Sequence, residues 1–255
     1  MKTGVRYIME ELFWEVHTGL KREAPGSEES TLKALGKVDL KSLEPEVLDI
    51  GCGPGDQTIA IAKNFRNARV TALDTHEPFL DELVKRADKA RVLDRIEPLK
   101  VSMFDMHFPN ERFDLVWAEG SAYIMGFRNA LRSWKRLLKE DGFMGLTELS
   151  WLTEETSDEA REFWSKGYPE MKHMDENRKL IEEEGYELVE MFILPESDWW
   201  ESYYDPMESR INELKVKYQG MPESLALLDG EMEEIRMYRN HSDEYGYVLY
   251  VIRKN

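Results

Sequence analysis

Short, continuous runs of apolar residues recur along the chain, and most of them are bounded by turn-forming residues. Such runs predict buried strands, because a strand that is covered on both faces has no polar side. Five of them are EVLDI (46–50), RVTALD (69–74), IEPLKVSMF (96–104), FDLVWAE (113–119) and FMGLTEL (143–149). Two more, YELVEMFIL (186–194) and YGYVLYVIRK (245–254), predict strands towards the C-terminus.

Between these runs the apolar positions recur at helical spacing. The predicted helices cover 5–20, Ser27 or Ser30 to Leu35, 56–65, 78–90 and 127–139. Residues 157–184 are also helical in pattern, with a break near Pro169, because proline interrupts a helix. Gly142 is suited to the left-handed cap that would end the helix before it.

Strands that alternate with helices predict an α/β fold with a mostly parallel sheet and helices on both faces. The last two predicted strands are instead joined by a long polar and aromatic insertion, residues 195–244, which favours an antiparallel last strand. We expect a single domain over 1–255. In it, an N-terminal helical lid (about 1–44) and the insertion would cover one edge of the sheet.

The 255 residues include 51 acidic and 34 basic side chains, which give a formal charge of −17 at pH 7. Because Lys and Arg are the main ligands of phosphate backbones, this excess of acid argues against a dedicated DNA- or RNA-binding protein. The one cysteine, Cys52, can form neither an intramolecular disulfide nor a cysteine-based metal site, and we expect no metal. Charged residues interrupt the N-terminal apolar positions, so we predict neither a signal peptide nor a membrane span, and expect a cytoplasmic protein.

Three glycines fall within five residues where the first predicted strand gives way to a helix, in LDIGCGPGD. Open parallel sheets bind ligands at this end of their strands. Gly51 and Gly53 would let the backbone approach a ligand, and Gly55 would set the entry into the helix, whose N-terminus offers free N–H groups. Asp74 ends the second strand 21 residues after Gly53, where an acidic residue is expected to bind ribose hydroxyls.

The glycine spacing is GxGxG, whereas a dinucleotide-binding loop has GxGxxG and leaves room for a pyrophosphate. Asp49 stands just ahead of the loop. A carboxylate there would be badly placed beside a pyrophosphate but favourably placed near an ammonium-bearing ligand. The loop therefore favours a ligand that combines an amino acid with a nucleoside.

The loop and the segments VTALD, VSMFD, FDLVWAEGSAY and LLKEDGFMGLTEL, in this order, resemble the class I S-adenosylmethionine-dependent methyltransferases. Within that family the chain is most similar to small-molecule enzymes related to the ubiquinone/menaquinone type. The resemblance implies a Rossmann-like, seven-stranded sheet of order 3-2-1-4-5-7-6 with an antiparallel last strand. It also implies S-adenosyl-L-methionine as cofactor and direct in-line transfer of its methyl group to a small-molecule acceptor.

The resemblance further implies which residues bind the cofactor. These are Asp49, Gly51, Cys52, Gly53, Gly55, Asp74, Thr75, Ser102, Met103, Asp105 and Glu119. The third strand departs from the family pattern, in which an acid and then a small residue bind the adenine edge. Ser102 and Met103 stand at those positions, and whether Ser102 or Asp105 contacts the adenine is left open.

Methyl transfer needs a general base only if the acceptor carries its proton at neutral pH, so no base is assigned from the sequence. The catalytic candidates are Glu119, Tyr123, Tyr203 and Tyr204. Aromatic residues crowd the two predicted lid segments, where an acceptor pocket and simple core packing are both open interpretations. We expect a small-molecule acceptor, no nucleic acid and no membrane as partners, and leave a homodimer open.

Other functions are weighed against this one. The glycine spacing and the long insertion disfavour a nicotinamide-dependent oxidoreductase. The charge disfavours a nucleic-acid methyltransferase, as does AEGSAY in place of an Asn/Asp-Pro-Pro-Tyr/Phe motif. A non-catalytic S-adenosylmethionine-binding protein and a protein-methylating enzyme remain alternatives.

Overall fold

One mixed sheet organises the computed structural model, which describes residues 11–255. Seven strands lie in the order β3-β2-β1-β4-β5-β8-β7, and the two-residue β6 pairs with β5 beside this row. The strands are β1 (Glu46–Ile50), β2 (Arg69–Asp74), β3 (Ile96–Lys100), β4 (Phe113–Ala118), β5 (Leu138–Trp151), β6 (Lys172–His173), β7 (Tyr186–Ile193) and β8 (Tyr245–Lys254).

Strand β8 runs antiparallel to both of its neighbours, β5 and β7, whereas the other pairs are parallel. With the short β6 set aside, this order is the predicted 3-2-1-4-5-7-6, and the antiparallel last strand is confirmed. The strand order reverses between β1 and β4, because β2 and β3 lie on one side of β1 whereas β4 and the later strands lie on the other side. Ligands of open α/β sheets bind at such a switch point, beyond the carboxyl ends of the strands.

Helices connect the strands and extend over the sheet. They are α1 (11–17), α2 (Glu28–Leu35), α3 (Asp56–Asn64), α4 (Glu77–Lys89), α5 (Phe127–Lys135), α6 (Asp158–Gly167), α7 (Met174–Glu183), α8 (Glu196–Trp199), α9 (Asp205–Lys217) and α10 (Pro222–His241). A π-helical turn, Trp200–Tyr204, joins α8 to α9. Ser27 begins α2, since its side chain accepts the N–H of Ser30. Within residues 11–255 no helix is long and apolar enough to cross a membrane.

Side chains of the strands alternate between the two faces of the sheet, and each face is covered by its own apolar cluster. Val47 and Val70 belong to the cluster that includes α2, α3 and the segment after β7. Leu48 and Val116 belong to the opposite cluster, which includes α5 and α7. Helices therefore cover both faces as predicted, which accounts for the continuous apolar runs of the strands.

Two predicted ends are wrong by four residues. The strand predicted over 96–104 ends at Lys100, because the next residues form a turn in which Asp105 N–H bonds to Ser102 C=O over 2.9 Å. The helix predicted over 127–139 ends at Lys135, because β5 already begins three residues later. The break near Pro169 is confirmed, since α6 ends before it and α7 begins after it.

The left-handed cap predicted at Gly142 is also wrong. Asp141 has the positive φ, 59°, and it lies within β5 rather than at the end of a helix. Leu138 and Phe143 of β5 pair with residues only two apart on β4, so the residues between them bulge out of the ladder. The bulge depends on pairing with β4, which local sequence does not report.

Gly145 of β5 leaves the space in which the indole ring of its partner on β4, Trp117, packs. A Cβ atom at Gly145 would overlap that ring. Trp117 is fully buried, and its Nε1 donates to Glu119 Oε1 over 2.8 Å. The missing side chain of Gly145 thus sets the position of a carboxylate just beyond the end of β4.

We expect Gly145→Ala to lower the free energy of unfolding by about 1–3 kcal/mol, the usual cost of overpacking a filled core. Urea unfolding monitored by circular dichroism measures this change. Gly230→Ala is the matched control, because a Cβ at this position of α10 has no other atom within 4 Å. This control should gain up to about 1 kcal/mol from helix propensity. Equal effects of the two substitutions would contradict the proposed packing.

Candidate active site

A cavity of about 490 Å³ lies beyond the carboxyl ends of β1, β2 and β4. Its floor is formed by five residues after β1, by Asp74 and Thr75 at the end of β2, and by Glu119–Ser121 after β4. The five are Gly51, Cys52, Gly53, Pro54 and Gln57, whereas the predicted cofactor residue Gly55 lies outside the lining. Residues of α1, α6, α10 and the π-helical turn form much of the remaining wall. The cavity therefore occupies the position at which the sequence predicted a ligand.

The glycines after β1 all have positive φ, which L side chains rarely adopt. A Cβ at Gly51 would lie 2.6 Å from the Ser121 Cβ, so this glycine is needed for packing of the loop against the segment after β4. A Cβ at Gly55 would overlap Leu83 of α4. A Cβ at Gly53 would meet Glu23 at 3.7 Å. Two of the three glycines thus serve close contacts inside the protein.

Cys52 lies within this loop and is buried. Its N–H bonds to Leu73 C=O over 2.8 Å, and its C=O accepts from the Gln57 side chain over 3.1 Å. Burial and the nearby carboxylates of Asp49 and Asp74 raise the pKa of the Cys52 thiol. A neutral, buried thiol is a poor nucleophile, so Cys52 acts as a small loop residue.

Asp74 connects β2 to the glycine loop. Its Oδ2 accepts the N–H of Gly53 over 2.9 Å, and its Oδ1 accepts the N–H of His76 over 2.8 Å. The His76 ring stacks on Trp14 with ring centroids 3.6 Å apart, so a residue of α1 reaches over the end of β2. Both Asp74 and Thr75 line the cavity, and their predicted contact with the cofactor stays a prediction.

Asp49 is fully buried in β1 and lies behind the loop rather than in the lining of the cavity. Its Oδ2 accepts the Thr58 hydroxyl over 2.5 Å. Burial raises the pKa of Asp49 to about 7, although the bond from Thr58 opposes the change.

Three predicted adenine contacts lie outside the lining of this cavity. Ser102 Oγ accepts the N–H of Phe104 over 3.3 Å, and Met103 packs against the apolar cluster on the other face of the sheet. Asp105 is exposed and pairs with His107 Nε2 over 3.1 Å. The adenine assignment therefore stays a prediction.

Glu119 is the most highly connected carboxylate at the site. Its Oε2 accepts from Arg22 Nη1 over 2.5 Å, and its Oε1 accepts from Thr31 over 2.7 Å and from Trp117. Arg22 is only 4% exposed, and its Nε also donates to Asp56 Oδ2 over 2.8 Å. The N-terminal segment is thus bound to the ends of β4 and of the glycine loop.

The segment after β7 also covers the cavity, and hydrogen bonds join it to the N-terminal segment. Ser30 Oγ donates to Asp198 Oδ2 over 2.6 Å, and Gly26 N–H donates to Asp198 C=O over 3.1 Å. Arg210 Nη1 donates to the backbone carbonyls of Glu15 and Thr18. Two segments far apart in sequence therefore form one surface over the cavity.

The candidate tyrosines separate into two groups. Tyr203 lines the cavity, and Tyr123 lies at its rim with 42% of its surface exposed. Tyr204 is fully buried behind the lining, where its hydroxyl donates to Glu234 Oε1 over 3.0 Å. Trp199 lines the cavity and also stacks on Tyr238 with centroids 3.9 Å apart. Cavity lining and core packing are thus divided between neighbouring residues, and contact of the lining tyrosines with a substrate stays a prediction.

Several cavity residues were missed from the sequence. They are His17, Arg22, Glu23, Phe163, Trp164, Tyr168, Glu231, Glu234 and Tyr247. Most lie on elements that reach the cavity only through the tertiary fold. A usable signal existed for Glu231 and Glu234 alone, since their spacing of three places two acids on one helix face.

Comparisons with known proteins agree with this geometry. Residues 47–142 match the family described as a methyltransferase domain. The chain is 27% identical to 27-O-demethylrifamycin SV methyltransferase of Amycolatopsis mediterranei, across 95% of this chain and 88% of that protein.

Solved structures share the fold at low sequence identity. YjhP from E. coli superposes with a TM-score of 0.81 at 18% identity, and the match covers 96% of this chain and 99% of that one. A methyltransferase from Geobacter sulfurreducens, in complex with S-adenosyl-L-homocysteine, superposes with a TM-score of 0.79 at 17% identity. That match covers 96% of this chain and 98% of the other. Residues 47–142, which match the methyltransferase domain, contain the glycine loop and Asp74, and the strand order of the sheet agrees with that match.

Proposed function

We propose that the chain transfers a methyl group from S-adenosylmethionine to a small-molecule acceptor inside the cavity beyond β1, β2 and β4. One observation carries this proposal. The same cavity joins the glycine loop and Asp74 to a wall of aromatic side chains. A cofactor and an acceptor bound there would share one enclosed space, which in-line displacement requires.

The residues at the loop end of the cavity fit S-adenosylmethionine. An ionised carboxylate offers about four lone-pair sites, so Asp74 retains acceptor capacity beyond its two backbone hydrogen bonds. The two ribose hydroxyls suit those sites, and Gly51, Gly53 and Thr75 would line the rest of the cofactor. The cavity volume of about 490 Å³ falls within the usual range for ligand sites, about 300–1,000 Å³.

When bound, S-adenosylmethionine supplies a methyl group on a positively charged sulfur, which leaves as a neutral thioether. The chain itself must hold the acceptor in line and keep water out. The aromatic residues Trp164, Tyr203 and Tyr247 are suited to both tasks, because their faces exclude water and attract positive charge.

Glu119 has a positioning role in this proposal rather than that of a general base. Its oxygens already accept hydrogen bonds from Arg22, Thr31 and Trp117. These three hydrogen bonds hold the carboxylate in place, so we assign it no proton transfer. Tyr123 and Tyr203 stay the candidates on the acceptor side.

The proposal also assigns a role to Asp49 that needs no contact with the cofactor. Asp49 and Thr58 link β1 to α3 on the two sides of the glycine loop. This bond would hold the loop in its turn from behind. The cofactor would then meet the backbone of the loop and not the carboxyl group.

Residues 11–44 and 195–244 are proposed as a lid within a single domain. The bonds of Asp198 to Gly26 and Ser30 support this proposal, because they join the two segments over the cavity. The relative 27-O-demethylrifamycin SV methyltransferase aligns over 95% of this chain. Its name gives a small molecule as its acceptor, and this supports a small-molecule acceptor here.

The test is a label-transfer experiment. The protein is incubated with S-adenosylmethionine labelled in its methyl group and with an extract separated into small molecules, proteins and nucleic acids. We expect label in the small-molecule fraction, and none without the protein. Label in protein or nucleic acid alone would overturn the proposed acceptor class. Loss of label from every fraction would favour a non-catalytic S-adenosylmethionine-binding protein.

Asp74→Asn should weaken binding of S-adenosylhomocysteine about tenfold to hundredfold. The amide keeps one acceptor oxygen, and its NH₂ group opposes one of the backbone N–H donors, so hydrogen bonds to a charged group are lost. Isothermal titration calorimetry measures the change. Asp88→Asn, at an exposed position of α4, is the matched control and should bind like the wild type. Wild-type affinity in the Asp74 variant would refute its role at the ribose.

Asp49→Asn should remove part of the pH dependence of stability. Folding raises the pKa of Asp49 from 3.8 to about 7, so the folded chain binds this proton more tightly than the unfolded chain. The resulting stabilisation is complete below about pH 4 and is lost as pH rises through about 7. Thermal unfolding across this range should show the variant gaining stability relative to the wild type as pH rises. Asp88→Asn should follow the wild type, and parallel curves for Asp49→Asn would contradict the prediction.

A further inference from the structure

An acidic wall, formed by Glu23, Glu231 and Glu234, lines part of the cavity. Glu231 and Glu234 are three residues apart on α10, so their side chains share one face of that helix. Glu23 lies at the other end of this wall, because its Cγ is 3.7 Å from where a Cβ of Gly53 would be. Glu23 thus borders the glycine loop, whereas the pair on α10 borders the space left for the acceptor.

The cavity lining offers little positive charge to balance this wall. Among the described residues of the lining, the side chains that can carry positive charge are Arg22 and His17. Arg22 is held by two carboxylates outside the acidic wall. His17 lies between two carboxylates of the wall, with Nδ1 3.0 Å from Glu23 Oε2 and Nε2 4.0 Å from Glu231 Oε2. One imidazole therefore faces three carboxyl groups, and the wall keeps an excess of negative charge.

A buried nitrogen atom at this wall is free to bind a ligand. His17 is 5% exposed, and its Nε2 has no hydrogen-bond partner within residues 11–255 and lies 4.0 Å from Glu231 Oε2. His17 lines the cavity. A buried polar atom without a partner costs free energy that a bound molecule can recover.

Burial raises the pKa of Glu231, and burial together with the neighbouring Glu231 raises the pKa of Glu234. Ionising both carboxyl groups of the pair is therefore costly in this buried position. A cation bound between the two carboxylates would offset this cost. Aromatic side chains stand close by: Tyr203 and Tyr247 line the same cavity and offer their faces to positive charge.

We infer that the acceptor is an amine, with an apolar body among the aromatic side chains and an ammonium group held by Glu231 and Glu234. This inference rests on the proposed function, because it assigns a substrate class to the same cavity. Recognition by charge separates such an acceptor from an alcohol of the same shape, which has no positive charge for the two carboxylates to bind.

The test uses probe pairs that differ only in the polar group. Tryptamine is compared with 2-(indol-3-yl)ethanol, and 2-phenylethylamine with 2-phenylethanol, by calorimetry on protein saturated with S-adenosylhomocysteine. We expect the amine of at least one pair to bind at least tenfold more tightly than its alcohol. Glu231→Gln with Glu234→Gln should abolish that preference. Glu233→Gln, on the same helix but paired with Arg236, should keep it.

Affinities for S-adenosylmethionine and S-adenosylhomocysteine are measured on the same proteins. Unchanged values in the double variant would confine the effect to the acceptor. Equal binding of amines and alcohols to the wild type, or binding of no amine while S-adenosylhomocysteine binds, would overturn the inference and leave the proposed function standing. Failure of the wild type to bind S-adenosylhomocysteine would instead overturn the proposed function itself.

Discussion

The site depends on the buried ion pair between Arg22 and Glu119. Arg22 is almost fully enclosed, and its guanidinium binds Glu119, Asp56 and Thr31 at once. Removing one partner of a buried pair leaves the other charge without compensation and costs several kcal/mol, about 3–5 in measured cases. The pair therefore fixes where the N-terminal segment crosses the ends of the strands, and with it one wall of the cavity.

This ion pair is linked to the interior of the sheet by a chain of contacts. Gly145 leaves room for Trp117, and Trp117 donates to the same carboxylate that holds Arg22. On the other side of the cavity, Asp74 fixes the glycine loop through the N–H of Gly53. Rigid strands thus position both the loop and the lid, which is how a binding site gains a defined geometry.

The strands were predictable because each is buried on both faces and its apolar run is continuous. Five of the seven predicted strand ranges, among them 46–50 and 245–254, agree with the structure to within one residue. The bulge near Asp141 was not predictable, because it arises from pairing with β4. The glycine loop and Asp74 were found because their chemistry is local in sequence and sits where an open sheet binds ligands.

The acceptor side was harder to predict from the sequence. Arg22 and Glu119 are 97 residues apart, and no local pattern signals their contact. Tyr203 and Tyr204 look equivalent in the sequence, yet one lines the cavity and the other is buried behind it. That division follows from the π-helical turn in which both residues lie. The acidic pair on α10 has helical spacing, but its function depends on where α10 packs.

We propose that this cavity accepts an amino-acid-bearing nucleoside and not a dinucleotide. Calorimetric titration of the wild-type protein with S-adenosylhomocysteine and, separately, with NAD tests this specificity. We expect one molecule of S-adenosylhomocysteine to bind per chain and no heat of binding for NAD. Binding of NAD without binding of S-adenosylhomocysteine would contradict it.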